Sequence, residues 1–74
     1  MINIIIAGPR GKMGRAAVNL VMSTENFQLT AVLDHKNDGL LLSDVEGFAG
    51  IDVPIYTDYE KCFSEIKADV LIDL

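Results

Sequence analysis

The sequence predicts a parallel α/β fold, on three observations. A short apolar run, Ile4-Ile5-Ile6-Ala7, ends at a glycine. Two more glycines follow at Gly11 and Gly14, where a helical pattern begins. A second apolar stretch, Phe27 to Leu33, closes on an acid, Asp34, twenty residues beyond Gly14. Strand, glycine turn, helix, strand is a βαβ unit, whose crossover is right-handed and whose strands are therefore parallel.

The first strand is expected from about Ile2 to Ala7. Ile4 and Ile6 point one way, Ile5 and Ala7 the other, and all four are apolar. A strand apolar on both faces belongs inside a parallel sheet. The first helix should run from Gly11 or Lys12 to Met22 or Ser23, with Met13, Ala17, Leu20 and Val21 as its buried stripe and Arg15 and Asn19 facing water. The second strand, Phe27 to Leu33 or Asp34, reads with a period of two: Phe27, Leu29, Ala31 and Leu33 against Gln28, Thr30, Val32 and Asp34.

The stretch from His35 to Asp52 is broken by Gly39, Gly47 and Gly50 and reads as a loop, with a helical turn near Leu40–Asp44. Val53–Tyr56 suits a short edge strand, because Pro54 has no N–H to give a central ladder. Thr57-Asp58-Tyr59-Glu60 matches a capping box, with Thr57 as N-cap and Glu60 at N3. The helix it opens carries Tyr59, Cys62, Phe63 and Ile66 on one face, which explains Cys62 as a core residue. Asp69–Leu74 reads as a third buried strand.

The expected architecture is the βαβαβ first half of a Rossmann-like domain, with strand order 3-2-1 and both helices on one face. The domain is then incomplete, with the second sheet face bare and prone to self-association or dye binding. Composition agrees. The chain has 74 residues, half of them hydrophobic, and a mean hydropathy of +0.30. A chain this short buries only about 60% of its unfolded surface, so such apolarity suits a piece of a larger domain.

The net charge of −5 excludes a basic nucleic-acid-binding surface. No apolar run approaches the roughly 18 residues of a membrane span, and Met1-Ile2-Asn3 lacks a secretory n-region. The lone Cys62 forms no internal disulfide and fits a reducing cytosol. No His, Cys and carboxylate set has metal spacing. No nucleophile–base pair is visible, so no residue of this chain is assigned a catalytic role.

The glycine turn carries the chemistry. Gly8 lets the chain leave the strand through a region closed to residues with a Cβ. Gly11 lets a diphosphate approach the backbone, and Gly14 lets the helix pack on the strand. First-turn N–H groups lack helical partners and can donate to phosphate oxygens. The spacing is G-x-x-G-x-x-G rather than G-x-G-x-x-G, one residue longer before the second glycine.

Asp34 is placed to accept hydrogen bonds from an adenosine ribose. Arg10 and Lys12, in the turn, suit a diphosphate or a 2′-phosphate. Pro9 stiffens the loop, and Met13 offers its backbone N–H. His35 and Lys36, just past the acid, add positive charge where Asp34 would repel a phosphate. Mixed charges of this kind suit both NADH and NADPH.

The blocks IIIAGPRGKMG, AVLDHK and ADVLIDL together resemble the amino-terminal part of the bacterial dihydrodipicolinate reductases (4-hydroxy-tetrahydrodipicolinate reductases) of lysine and diaminopimelate synthesis. The likeness covers all 74 residues. Its specific part is A-G-x-x-G-[RK]-M-G, matched by Ala7, Gly8, Gly11, Lys12, Met13 and Gly14, and this makes the longer glycine spacing an expected feature. The resemblance implies NADH or NADPH held by Gly8–Met13, the ribose held by Asp34, and His35 beside the extra phosphate of NADPH. It also implies a cytoplasmic homotetramer, with the substrate domain and its catalytic residues outside this chain. Two other readings are a different G-x-x-G-x-x-G oxidoreductase, of short-chain, aspartate or homoserine dehydrogenase type, and a non-catalytic nucleotide- or CoA-binding module.

Overall fold

In a computed structural model describing residues 1–74, the chain runs β1 (Ile2–Ala7), α1 (Lys12–Ser23), β2 (Phe27–Leu33), a 3-10 turn (Leu42–Asp44), β3 (Ile55–Tyr56), α2 (Tyr59–Glu65) and β4 (Val70–Asp73). All four strands join one parallel sheet in the order β3-β2-β1-β4. The α/β class and the parallel sheet are as the sequence predicts, and the order 3-2-1 describes the first three strands. The segment expected to be the third, buried strand is the fourth, and Val70, Leu71 and Asp73 of it are exposed. It pairs with the free side of β1, from Ile4 opposite Val70 to Ala7 opposite Asp73. The outer side of β2 is already taken by β3, through Val32–Ile55 and Leu33–Tyr56.

That reversal moves the second helix. Crossing from β1 to β2 and crossing back from β3 to β4 run in opposite directions over the sheet. Right-handed connections therefore put α1 and α2 on opposite faces. Two core clusters record this. Ile4 and Ile6 pack with Val18 and Val21 of α1, while Ile5 and Ala7 pack with Cys62 of α2. Alternate residues of one strand face opposite sides, so the second face, expected to be bare, carries α2. Ile5, Ile6, Val18 and Cys62 have no exposed surface, and burying side chains such as Ile contributes about 1.5–3 kcal/mol each.

Three local readings are corrected. On α1 the buried residues are Gly14, Val18 and Val21, while Met13 is 71% and Leu20 63% exposed. The close approach of Gly14 to the preceding turn orients the helix, and positions four and seven residues further on follow it inward. On β2 the register slips between Ile4 and Ile5, leaving Thr30 as an extra residue whose hydroxyl donates to the Ile4 carbonyl at 3.3 Å. The bulge breaks the period of two: Phe27, Leu29 and Val32 serve the α1 face, Ala31 and Leu33 the other. At α2 the N-cap is Asp58, which accepts from the Lys61 N–H at 3.2 Å. Thr57 precedes the cap, and its N–H donates to Asp38 Oδ1 at 3.0 Å.

The glycine-broken stretch forms the 3-10 turn near its expected place and sends Leu42 and Phe48 into the α1-side core. Pro54 precedes the edge strand β3, as its missing N–H requires. Tyr59 and Phe63 lie on the outer part of α2, edge-to-face at 6.0 Å, and both remain exposed. No helix is long and apolar enough to cross a membrane.

Candidate functional site

The turn between β1 and α1 is built by two glycines for different reasons. Gly8 has φ +81°, and its N–H donates to the Leu33 carbonyl at 2.9 Å, carrying the β1–β2 ladder one residue further. A Cβ on Gly14 would lie 1.8 Å from the Gly8 carbonyl oxygen and 2.8 Å from Pro9 Cα. Only a glycine lets the helix start this close to the strand end. Pro9 is buried beneath the turn.

Gly11 differs. It is the N-cap of α1 at φ −71°, ψ 167°, and a Cβ there would come no nearer than 3.9 Å to any other part of the chain. Nothing in the protein's own packing requires glycine at this position. The space above it is open, as the approach of a bulky anion to the backbone needs. The first helical bond is made by the Arg15 N–H to the Gly11 carbonyl at 2.9 Å. The amides before it are the unpaired donors of the helix tip, with no side-chain cap and no acid in the first turn. Backbone donors and helix dipole both favour a negative group there.

Asp34 stands one strand over, at the end of β2, as expected. Its N–H donates to the Tyr56 carbonyl at 2.9 Å, which fixes its backbone between β2 and β3. Its side chain, 5% exposed, receives Arg10 in a two-pronged contact: Nε donates to Oδ2 at 2.5 Å and Nη2 to Oδ1 at 2.8 Å. The His35 N–H also donates to Oδ1, at 2.6 Å. The Arg10 hydrogen bond is the main reason the carboxyl is held below the usual carboxylate range, with the His35 and Lys36 amides adding to it against the effect of burial.

The turn and the acid share a cleft of 260 Å³, walled by Ala7, Gly8, Leu33, Asp34 and His35 and closed on the other side by Thr57, Tyr59 and Asp73. It lies beyond the carboxyl ends of β1, β2 and β4, where the chain order of the sheet reverses. Ligands of open α/β sheets bind at such a switch point. Two larger hollows, of 350 and 450 Å³, lie at the amino-terminal end of β2 and beside α2, both lined mainly by apolar side chains.

Of the residues named from the sequence, Gly8, Arg10, Gly11, Asp34 and His35 thus gather at one edge. Lys12 and Met13 open α1 with exposed side chains. One contributor was missed. Arg15, expected to face water, donates through Nε to the Arg10 carbonyl and through Nη2 to the Glu46 carbonyl, each at 3.4 Å, and lies 4.9 Å over the Phe48 ring. It ties the glycine turn to the following loop. The signal available in the sequence was an aromatic residue inside a glycine-flanked polar loop.

Residues 2–74 match the family model described as dihydrodipicolinate reductase, N-terminus. The 4-hydroxy-tetrahydrodipicolinate reductase of Geobacillus thermodenitrificans is 63% identical over 73 residues, 99% of this chain and 28% of that protein. That of Shouchella clausii is 54% identical over 74 residues, 100% of this chain and 28% of that protein. Among solved structures, the dipicolinate-bound dihydrodipicolinate reductase of Paenisporosarcina sp. TG-14 superposes with a TM-score of 0.79 at 51% identity, covering 100% of this chain and 28% of that one. The chain therefore spans little more than a quarter of the length of the relatives it matches.

Proposed function

The chain belongs to the dihydrodipicolinate reductase family, as its amino-terminal part, and from this premise we propose that it holds the adenosine half of NADH or NADPH in an enzyme that reduces dihydrodipicolinate for lysine and diaminopimelate synthesis. Residues 1–74 are then the first half of an NAD(P)-binding domain. The substrate domain and the catalytic residues lie in other parts of the enzyme, which we take to be a cytoplasmic homotetramer. One observation carries the reading: an uncapped helix tip with open space above Gly11, following a turn whose Gly8 lines one cleft with the carboxylate at the end of the next strand.

These residues fit the coenzyme. The backbone from Gly8 to Met13 receives the diphosphate, aided by the helix dipole and by Lys12. Asp34 receives the adenosine ribose. His35, with Arg10 near it, lies where a 2′-phosphate would project. The bound coenzyme supplies the hydride. This part of the protein supplies position, holding the far end of the molecule so that the nicotinamide is fixed by the remaining domains.

The test is calorimetric titration of the natural full-length protein with each coenzyme, followed by a coupled assay with freshly made dihydrodipicolinate. Both coenzymes are expected to bind, and oxidation of NADPH should require the substrate. Binding without turnover would favour a nucleotide-binding module, and no binding of either coenzyme would overturn the site. NADPH binding weaker than NADH by about tenfold or more, a gap of about 1.4 kcal/mol, would mean that the basic residues do not serve the phosphate.

A further inference from the structure

We propose that Arg15 is a positioning residue for the coenzyme: by holding the Arg10 carbonyl it fixes the direction in which the Gly11 amide is presented to a diphosphate. The inference rests on the coenzyme reading above and deepens it, naming what keeps the donor aimed.

The need arises at Gly11. A residue without a Cβ adopts positive and negative φ about equally readily. The peptide between Arg10 and Gly11 is therefore free to turn over and carry the amide to the other side of the loop. Gly11 sits at φ −71°. Its N–H has no partner within the chain, so no bond of its own holds that orientation. Packing does not hold it either, because the nearest atom to a Cβ built there lies 3.9 Å away.

The carbonyl side is held instead. Arg15, one helical turn on, donates through Nε to the Arg10 carbonyl at 3.4 Å. In a trans peptide the C=O and the following N–H point in opposite directions. Fixing the carbonyl toward the guanidinium fixes the Gly11 amide away from it.

The guanidinium is itself seated from the far side. Its Nη2 donates to the Glu46 carbonyl at 3.4 Å, and its Cζ lies 4.9 Å from the centre of the Phe48 ring. Phe48 is 2% exposed and belongs to the α1-side core, so the ring is a fixed face. Gly47, at φ +93°, leaves room between them: a Cβ there would stand 2.1 Å from Nη1. Arginine suits this seat, because a planar fork stacks on a ring while donating along two edges. A distant loop thus decides how the glycine turn presents its amide.

The experiment is a steady-state assay of the natural full-length protein, with ADP and adenosine as competitive inhibitors against NADH. ADP carries the diphosphate, and adenosine carries no phosphate. Arg15→Gln is expected to raise the KM of NADH and of NADPH, and the inhibition constant of ADP, by about fivefold, the worth of one hydrogen bond. The inhibition constant of adenosine should stay within about twofold of wild type, as should the KM of dihydrodipicolinate. Arg15→Lys keeps the charge and one donor for the Arg10 carbonyl but loses the fork, and should recover part of the loss in the same ligands. Phe48→Leu leaves Arg15 in place and removes the ring beneath it. It should show the same selective loss to a smaller extent.

A change in ADP affinity of less than about twofold, in an Arg15→Gln protein that unfolds cooperatively, overturns the proposal. Equal weakening of ADP and adenosine also overturns it, since that is the mark of a general disturbance of the fold. Should Arg15→Gln fail to fold, Arg15→Lys and Phe48→Leu carry the same comparison, and a wild-type ratio of ADP to adenosine affinity in both counts against it. Failure of the wild-type protein to bind NADH, NADPH or ADP would instead refute the coenzyme reading itself, so the two failures are distinguishable.

Discussion

Both helices begin at the carboxyl edge of the sheet, α1 after β1 and α2 after β3. Each brings a set of unpaired amides to that edge. At α2 the chain answers them itself: Asp58 accepts from the Lys61 N–H, and Glu60 stands in the first turn beside the positive end of the dipole. At α1 the N-cap is Gly11, with no side-chain acceptor and no acid in the turn. The backbone at Gly11 is extended, at φ −71° and ψ 167°, a conformation in which Asp or Ser caps a helix elsewhere. The first helix is left open although its own geometry would accept a cap. The same backbone feature serves stability in one turn and is left available to an anion in the other.

The largest effect expected from breaking this comparison is at Gly14. In Gly14→Ala the new Cβ would meet the Gly8 carbonyl oxygen at 1.8 Å, a backbone atom held by the Gly8–Leu33 hydrogen bond and unable to swing aside. Helix and strand end would have to separate, at a cost of about 3 kcal/mol or more, the upper range for overpacked positions. Thermal unfolding should show a midpoint lower by several degrees, and coenzyme binding should be lost with it. An unchanged midpoint would mean that the helix can shift freely, and that the turn geometry described above is not fixed.

A second, smaller effect separates binding from folding. Gly11→Asp gives α1 the kind of cap that α2 already has. The added side chain has room, with no atom of the chain within 3.9 Å of the new Cβ. The variant should match or exceed the wild type in stability by up to about 1 kcal/mol, while NADH and NADPH both bind at least about tenfold more weakly, because a carboxylate now occupies the amides. The reciprocal change, Asp58→Ala, should cost about 1 kcal/mol in unfolding and leave both affinities alone. Equal loss of binding in the two variants would show that the two turns do not differ in role.

Much of this site was legible because it is local. The apolar run of β1, the three glycines and the acid closing β2 all lie within one βαβ unit, and their order alone brings Gly8 and Asp34 to the same edge. What could not be read depends on contacts between distant residues. The edge taken by β4 depended on a two-residue strand, Ile55–Tyr56, filling the outer side of β2. The buried face of α1 followed from Gly14 meeting Gly8 and Pro9, so the stripe through Met13 and Leu20 pointed outward. Thr30 bulged and reset the alternation of β2. Arg15 was claimed by Phe48, thirty-three residues on, rather than by water. Arg10 and Asp34 each stood out in the sequence as candidate coenzyme contacts, but their hold on one another spans 24 residues, and no periodicity reports it.

The smallest effect concerns that hold, and it is read in acid. Arg10, through its hydrogen bond first and its charge as well, lowers the Asp34 pKa, with the His35 and Lys36 amides helping. A carboxyl whose folded pKa is depressed contributes stability that is complete above the unfolded value and is lost as pH falls through the folded one. The gap in unfolding midpoint between the wild type and Asp34→Asn should therefore be constant from neutral pH down to about pH 5, and close progressively below the ordinary carboxylate value of about 3.9. Added salt should narrow it, since Arg10 is partly open to solvent. A gap that persisted to about pH 2 would mean that the charge of Asp34 is not what Arg10 holds. The pairing would then be one of shape rather than of charge.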